Sequence, residues 1–245
     1  MKHEIQKHEE LKNLAIYSYN LNNKYLPKEY HLEGISSEKN GFFACVLKKD
    51  KEIVIVFRGT ELSDNNDLKD DLKMYLHKMP SQAKSANNLY NYVKKEYPNH
   101  NIVLVGHSLG GSLAQIIASI YNLDAITFNA FGIGNILKDS SKLHVDKIIN
   151  YCNPDDPITT MKKSLHIGKC YFLQTRKDNN KFVHFVESME TIDKRIMTAP
   201  KSVNNWKNNH TKNIYCTGTY KVNGYIKENG TRVNSYIRTC GVHNN

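Results

Sequence analysis

The 245-residue chain contains no C-x-x-C pair. Its five cysteines, Cys45, Cys152, Cys170, Cys216 and Cys240, are scattered, a spacing that argues against a zinc site and against a dense disulfide framework and favours reduced thiols. No D-x-D-x-D-G loop of the EF-hand kind is present, and the sequence calls for no metal or other cofactor. No apolar run follows Met1-Lys2-His3-Glu4-Ile5-Gln6-Lys7, so no secretory signal peptide is read. Cytoplasmic residence is the default expectation, with export by a dedicated secretion route as the other course. Ile102 to Leu123 lacks charged residues and is long enough to cross a bilayer, but Gly106, His107, Ser108, Gly110, Gly111 and Gln115 interrupt it. It reads as buried core.

Acidic residues are nearly missing from the C-terminal end. After residue 193, nine Lys and Arg face only Glu228, so this tail holds a net +8 of the chain's +10. The preceding residues are close to neutral, which divides the chain into a body, residues 1–197, and a basic extension, residues 198–245. Within the extension Lys221-Val-Asn-Gly-Tyr-Ile-Lys227 recurs as Arg232-Val-Asn-Ser-Tyr-Ile-Arg238, with Asn229-Gly230 between the copies. An Asn-Gly pair flanked by alternating apolar residues predicts a small twisted β-hairpin closed by a two-residue turn.

At 40% hydrophobic and 24% charged residues, the composition excludes a disordered polyampholyte, a collagen-like fibre and a coiled coil. Apolar spacing at Leu11, Leu14 and Ala15 predicts a helix. Phe42 to Leu47 and Ile53 to Phe57, joined by Lys48-Lys49-Asp50-Lys51, predict a hairpin whose second strand is buried on both faces. Leu68, Leu72, Leu76 and Met79 mark a short helix; Ala86, Leu89, Tyr90, Val93 and Tyr97 mark a second, closed by Pro98. Strands are expected at Ile102 to Val105, Ala125 to Phe128, Lys147 to Cys152 and Lys169 to Leu173. Helices are expected at Leu109 to Tyr121 and at about Glu187 to Met197. This alternation predicts an α/β fold with a mostly parallel central sheet and a small C-terminal β-hairpin extension.

Gly106-His107-Ser108-Leu109-Gly110 fits G-x-S-x-G between an apolar strand and an apolar helix, the context in which that motif exposes a nucleophilic serine on a strained turn. Glycines two before and two after the serine avoid collision. The turn also aims the amide of Leu109 at a developing oxyanion. A serine hydroxyl needs a base and an orienting carboxylate, in chain order Ser, Asp, His for this arrangement. Asn153-Pro154-Asp155-Asp156-Pro157-Ile158 follows a strand at the end of the sheet where ligand groups collect, so Asp156 or Asp155 is the acid. Candidates for the base are His166, His184, His210 and His243. His184, at a loop-to-helix junction after the last expected strand, is preferred, with His210 as competitor.

These residues resemble the class 3 lipase family of the α/β-hydrolases, which includes fungal triacylglycerol lipases and bacterial and phage phospholipases. The resemblance covers about residues 10–197. It is carried by Val54-Ile55-Val56-Phe57-Arg58-Gly59-Thr60, the Gly106 to Gly111 elbow, Ile126 to Asn135, and Asn153 to Ile158. It implies that Thr60 joins Leu109 in the oxyanion hole, that Asp156 and not Asp155 is the acid, and that His184 opens an H-x-[LV]-E-[NS]-[YM] pattern. It also implies a mobile lid over residues 61–80. Phe131 stands where the family usually has proline, and the segment after Thr60 lacks the usual tryptophan.

The expected activity is serine-dependent hydrolysis of carboxylic esters of lipids, of lipase or phospholipase A type, through an acyl-enzyme. The expected partners are a lipid or phospholipid ester and, through the basic hairpin, an anionic membrane surface. The contrasting reading is a binding protein that uses a hydrolase scaffold and presents its tyrosine-bearing hairpin to nucleic acid or another anionic polymer. The Ser, Asp and His order weighs against it.

Overall fold

The computed structural model describes residues 2–60, 68–137, 143–159, 164–176 and 183–193, and four short strands between residues 219 and 239. Helix α1 (Lys2–Asn20) is followed by strands β1 (His31–Ser37), β2 (Phe43–Lys49) and β3 (Glu52–Phe57), then by helix α2 (Leu68–Glu96). Strand β4 (Asn101–His107) runs directly into helix α3 (Ser108–Tyr121). Strands β5 (Asp124–Phe128), β6 (Ile148–Cys152) and β7 (Lys169–Phe172) complete the body.

The seven strands form one sheet whose spatial order is their chain order. β1, β2 and β3 pair antiparallel, and from β3 to β7 every neighbour is parallel. This is the expected α/β architecture with a mostly parallel sheet. Ile53 to Phe57 are all fully buried, as a continuous apolar run in a central strand requires. Alternate strand residues feed two cores. Val54, Val56, Val103, Val105, Phe128 and Tyr151 pack under α1, while Ile53, Ile55, Phe57, Leu104 and Ile148 pack with residues of α2 and α3. The layers are helix, sheet, helix. Among the described residues no helix is long and apolar enough to cross a membrane, in keeping with the reading of Ile102 to Leu123 as core.

The structure departs from the sequence expectations in three places. β1 was not anticipated: it is an edge strand, exposed along much of its length, so its residues carry no apolar alternation to read. The two helices expected between Leu68 and Tyr97 are one, and α2 continues through Pro80. A proline inside a helix removes one hydrogen bond and crowds the preceding turn. Pro80 is exposed, and the following turns are anchored by buried Ala86, Tyr90 and Val93. The helix expected from Glu187 is only a 3-10 turn at Val186–Ser188, because Met189 is drawn into an antiparallel bridge with Thr175.

The extension contains four described strands. Strand β8 (Thr219–Val222) pairs antiparallel with β11 (Tyr236–Thr239), and β9 (Tyr225–Ile226) with β10 (Arg232–Val233). Both ladders share one antiparallel register, with Arg232 opposite Ile226 and Tyr236 opposite Val222, and the expected Asn229-Gly230 turn lies outside the described residues. The boundary expected at residues 197 and 198 lies outside them as well.

The ring of Tyr151 stacks between Phe128 and Tyr171, with centroids 5.6 Å from each. Burial raises the pKa of its hydroxyl, so it keeps its proton, and it shares a 2.7 Å hydrogen bond with Nδ1 of buried His8 in α1. Tyr151→Phe preserves the stack and leaves His8 Nδ1 without that partner. Urea unfolding is expected to show a loss of about 1–3 kcal/mol, the usual consequence of orphaning a buried polar atom.

Candidate active site

Ser108 sits where β4 turns into α3 with φ of 54°, a left-handed conformation that a serine adopts only when the surroundings impose it. The surroundings are two glycines. A side chain on Gly106 would collide with the backbone of Gly110, and one on Gly110 with the carbonyl of Phe57 at the end of β3. This close approach packs the first turn of α3 against the sheet edge. Helix N-terminal amides, including that of Leu109, thereby stand beside the serine hydroxyl.

His184 Nε2 lies 2.8 Å from Ser108 Oγ, and His184 Nδ1 lies 3.0 Å from both carboxylate oxygens of Asp156. A carboxylate only accepts, so Nδ1 carries the proton and Nε2 presents its lone pair to the serine hydroxyl. Asp156 is fully buried. Its two oxygens accept further hydrogen bonds from the amides of Ile158 at 3.1 Å and Thr159 at 3.2 Å, which compensate the lost solvation of the carboxylate. The neighbouring Asp155 is exposed.

The loop that carries His184 has little regular structure, and it is held through its backbone. The carbonyl of His184 accepts from Nε2 of His107 at 2.8 Å and from Nδ2 of Asn129 at 2.9 Å. Since His107 Nε2 donates, its Nδ1 accepts from the Tyr19 hydroxyl of α1 at 2.7 Å. Asn129, just beyond β5 with φ of 43°, also accepts from the Asn153 amide at 2.7 Å and so ties the loop of His184 to the turn of Asp156. Ser188 Oγ donates within the same loop, 2.9 Å from the Val183 carbonyl and 2.6 Å from that of Phe185. Sequence reasoning assigned no role to Tyr19, His107 or Asn129. For Asn129 a signal existed, an asparagine at the carboxyl end of a buried strand where left-handed backbone favours it.

The structure therefore brings Ser108, Asp156 and His184 together. Thr60 lies exposed at the end of β3, next to Gly59, which packs on Ser108. His166 is placed elsewhere, its Nε2 3.8 Å from Cys152 Sγ and 3.4 Å from the Thr159 carbonyl. His210 and His243 lie outside the described residues. So do residues 61–67 of the expected lid and the side chains of residues 68–78. At the far end of that segment Met79 is buried in an apolar cluster with Leu109, Phe131 and Ile158. Ser108 itself is 1% exposed.

The family model of the Tle-like phospholipase domain, a phospholipase-like family, matches residues 5–212. A protein of Eremothecium gossypii named as a lipase, ATG15, is 48% identical over 44 residues, 18% of this chain and 8% of that protein. The match thus spans a small fraction of the relative's length. The triacylglyceride lipase of Rhizomucor miehei superposes with a TM-score of 0.51 at 19% identity, over 70% of this chain and 81% of the lipase. A triacylglycerol lipase described as having a serine-protease triad for its catalytic centre superposes with a TM-score of 0.52 at 19% identity, covering 82% and 91% of the two chains. These structures share the fold.

Burial, with the neighbouring His184, lowers the pKa of His107 to about 3, and burial lowers that of His166 to about 4 and that of His8 by a smaller amount. Each lies below the ordinary value of 6.5. The unfolded chain therefore binds more protons in this window, and the stability these groups contribute is complete above about pH 6.5 and declines as the pH falls. The slope is about 1.4 kcal/mol per pH unit for each histidine fully protonated only when unfolded. Urea midpoints are expected to fall steeply between pH 7 and pH 5, and less steeply in His107→Gln; a midpoint that is level across this range contradicts the assignment.

Proposed function

Because the chain belongs to the Tle-like phospholipase domain family, we propose that it hydrolyses carboxylic esters of lipids with Ser108 as nucleophile. The observation that carries this reading is the approach of His184 Nε2 to within 2.8 Å of Ser108 Oγ, with Nδ1 held by Asp156. Ser108 Oγ attacks the ester carbonyl carbon as its proton passes to His184 Nε2. The imidazolium is stabilised by Asp156, and the oxyanion is held by the Leu109 amide and Thr60. The alcohol leaves with the proton from His184, and the acyl group remains on Ser108. Water, deprotonated by His184, then attacks the acyl-enzyme and releases the fatty acid and the free serine.

A lipid ester cannot reach a serine that is 1% exposed unless its cover moves. Residues 61–80, which end on Met79 against Leu109, are the segment proposed to open at a lipid surface. The basic hairpin is the proposed membrane contact, since each Lys or Arg near an anionic surface contributes about 1 kcal/mol.

Hydrolysis of p-nitrophenyl esters of several chain lengths and of phospholipid vesicles tests the chemistry. Ser108→Ala and His184→Ala are expected to lose at least about a thousandfold in kcat/KM, and Asp156→Asn about a hundredfold or more. His210→Ala is expected to retain activity. Turnover that survives Ser108→Ala sinks the proposal.

Binding to vesicles is a separate test. The full chain is expected to bind anionic vesicles more weakly as salt rises and the Debye length shortens. Removal of residues 201–245 should abolish that salt-dependent component. Equal binding by the two forms rules out the hairpin as the contact.

A further inference from the structure

Cys152, His166 and Cys170 are far from any C-x-x-C spacing, yet the sheet brings them together. β6 and β7 are parallel and in register with Asn150 opposite Cys170 and Cys152 opposite Phe172. Side chains two apart on a strand share a face, so Cys152 and Cys170 project from the same side of the sheet. His166 reaches them from the loop that enters β7. That loop is built to a fixed shape. Gly168 has φ of 86°, and a side chain there would collide with the Ile148 carbonyl. Asn150 Nδ2 donates to the carbonyls of Ile167 at 2.8 Å and Lys169 at 3.2 Å, and the Asn150 side chain is itself oriented by Thr127 Oγ1 at 2.6 Å. Leu165 bridges to Ile133, and the Gly134 amide donates to the Leu165 carbonyl at 2.6 Å.

The two sulfurs and an imidazole nitrogen lie within 4.8 Å of one another, and all three residues are buried. Cys152 Sγ and His166 Nε2 are 3.8 Å apart. A tetrahedral ion bound at about 2.3 Å to sulfur and about 2.0 Å to nitrogen holds such atoms about 3.5 Å apart, so closure around an ion needs only a small contraction. Two thiolates and a soft cation suit each other, and their charges cancel for a divalent ion, which a buried site requires.

We propose that Cys152, Cys170 and His166 form a binding site for one soft divalent cation of the zinc class, between β6 and β7 at the foot of the turn that carries Asp156. The site adjoins the active centre: the Thr159 carbonyl lies 3.4 Å from His166 Nε2, and the Thr159 amide donates to Asp156 Oδ2 at 3.2 Å. Ligation releases the two thiol protons and ties the end of β6 to the loop before β7. The site stands independently of the proposed esterase activity, because binding is read without substrate.

Titration of the reduced full-length chain with Co2+ tests the proposal. One equivalent is expected to produce thiolate-to-metal charge-transfer absorption, which Zn2+ then displaces, and Zn2+ should raise the melting temperature. Cys45→Ser, Cys216→Ser and Cys240→Ser should leave the band in place. Cys152→Ser, Cys170→Ser and His166→Gln, with near-UV circular dichroism preserved, should each weaken Co2+ binding tenfold or more. The wild-type titration needs no variant to fold: no charge-transfer band at equimolar Co2+ overturns the proposal. Unchanged binding in the Cys152→Ser, Cys170→Ser double variant also overturns it.

Discussion

The first turn of α3 can approach the end of β3 only because Gly110 has no side chain, and much of the site follows from that contact. With Gly110 against the Phe57 carbonyl and Gly106 against the Gly110 backbone, the chain has no room to leave β4 gradually. It turns within one residue, and that residue is Ser108 at positive φ. Strain of this kind costs on the order of 1–3 kcal/mol and persists because β4 and α3 are both buried along most of their length. The result is a hydroxyl whose position is set by packed backbone and not by its own rotamer preferences. A loosely held serine would make the 2.8 Å contact to His184 only part of the time.

The base is positioned by a different device. Regular structure supplies little support between Lys169–Phe172 and the 3-10 turn at Val186–Ser188, so His184 depends on hydrogen bonds to its own carbonyl. Two donors converge there, His107 from the elbow and Asn129 from the end of β5. The same elbow thus presents Ser108 and, one residue earlier, fixes the backbone of the histidine that faces it. Tyr19 extends this chain of donors to α1. A helix at the start of the sequence thereby contributes to the alignment of His184, which is far from it in sequence and two hydrogen bonds away in space.

The sheet and the strand-to-helix turn that carries Ser108 were legible in the sequence because both rest on local pattern. Ile53 to Phe57 and Ile102 to Val105 are continuous apolar runs, and a buried parallel strand has no other appearance. The glycines of the elbow are required by contacts within a few residues, so they stand at fixed spacing. What was illegible depends on contacts distant in sequence. β1 is defined by pairing with β2 and not by its own composition. Met189 fits a helical stripe, yet its bridge to Thr175 decides its conformation. His107 occupies a position where the motif admits any residue, and only its place between Tyr19 and His184 gives it a function.

Burial of the site has opposed consequences that the same hydrogen bonds reconcile. A carboxylate and two imidazoles taken from water lose solvation that costs far more than a typical surface ion pair returns. Asp156 recovers part of it from two amides and from His184 Nδ1, and His107 remains neutral with both ring nitrogens engaged. The low dielectric that makes these groups expensive also strengthens each interaction they form. An imidazolium generated at His184 would meet an aligned and buried carboxylate, which is the condition under which preorganised charge lowers a barrier. The neutral state of His107 matters for the same reason: a second positive charge, with its ring centroid 4.8 Å from that of His184, would oppose the proton uptake proposed for His184. Desolvation keeps His107 uncharged, and so the cost of burying it removes a repulsion from the proposed base.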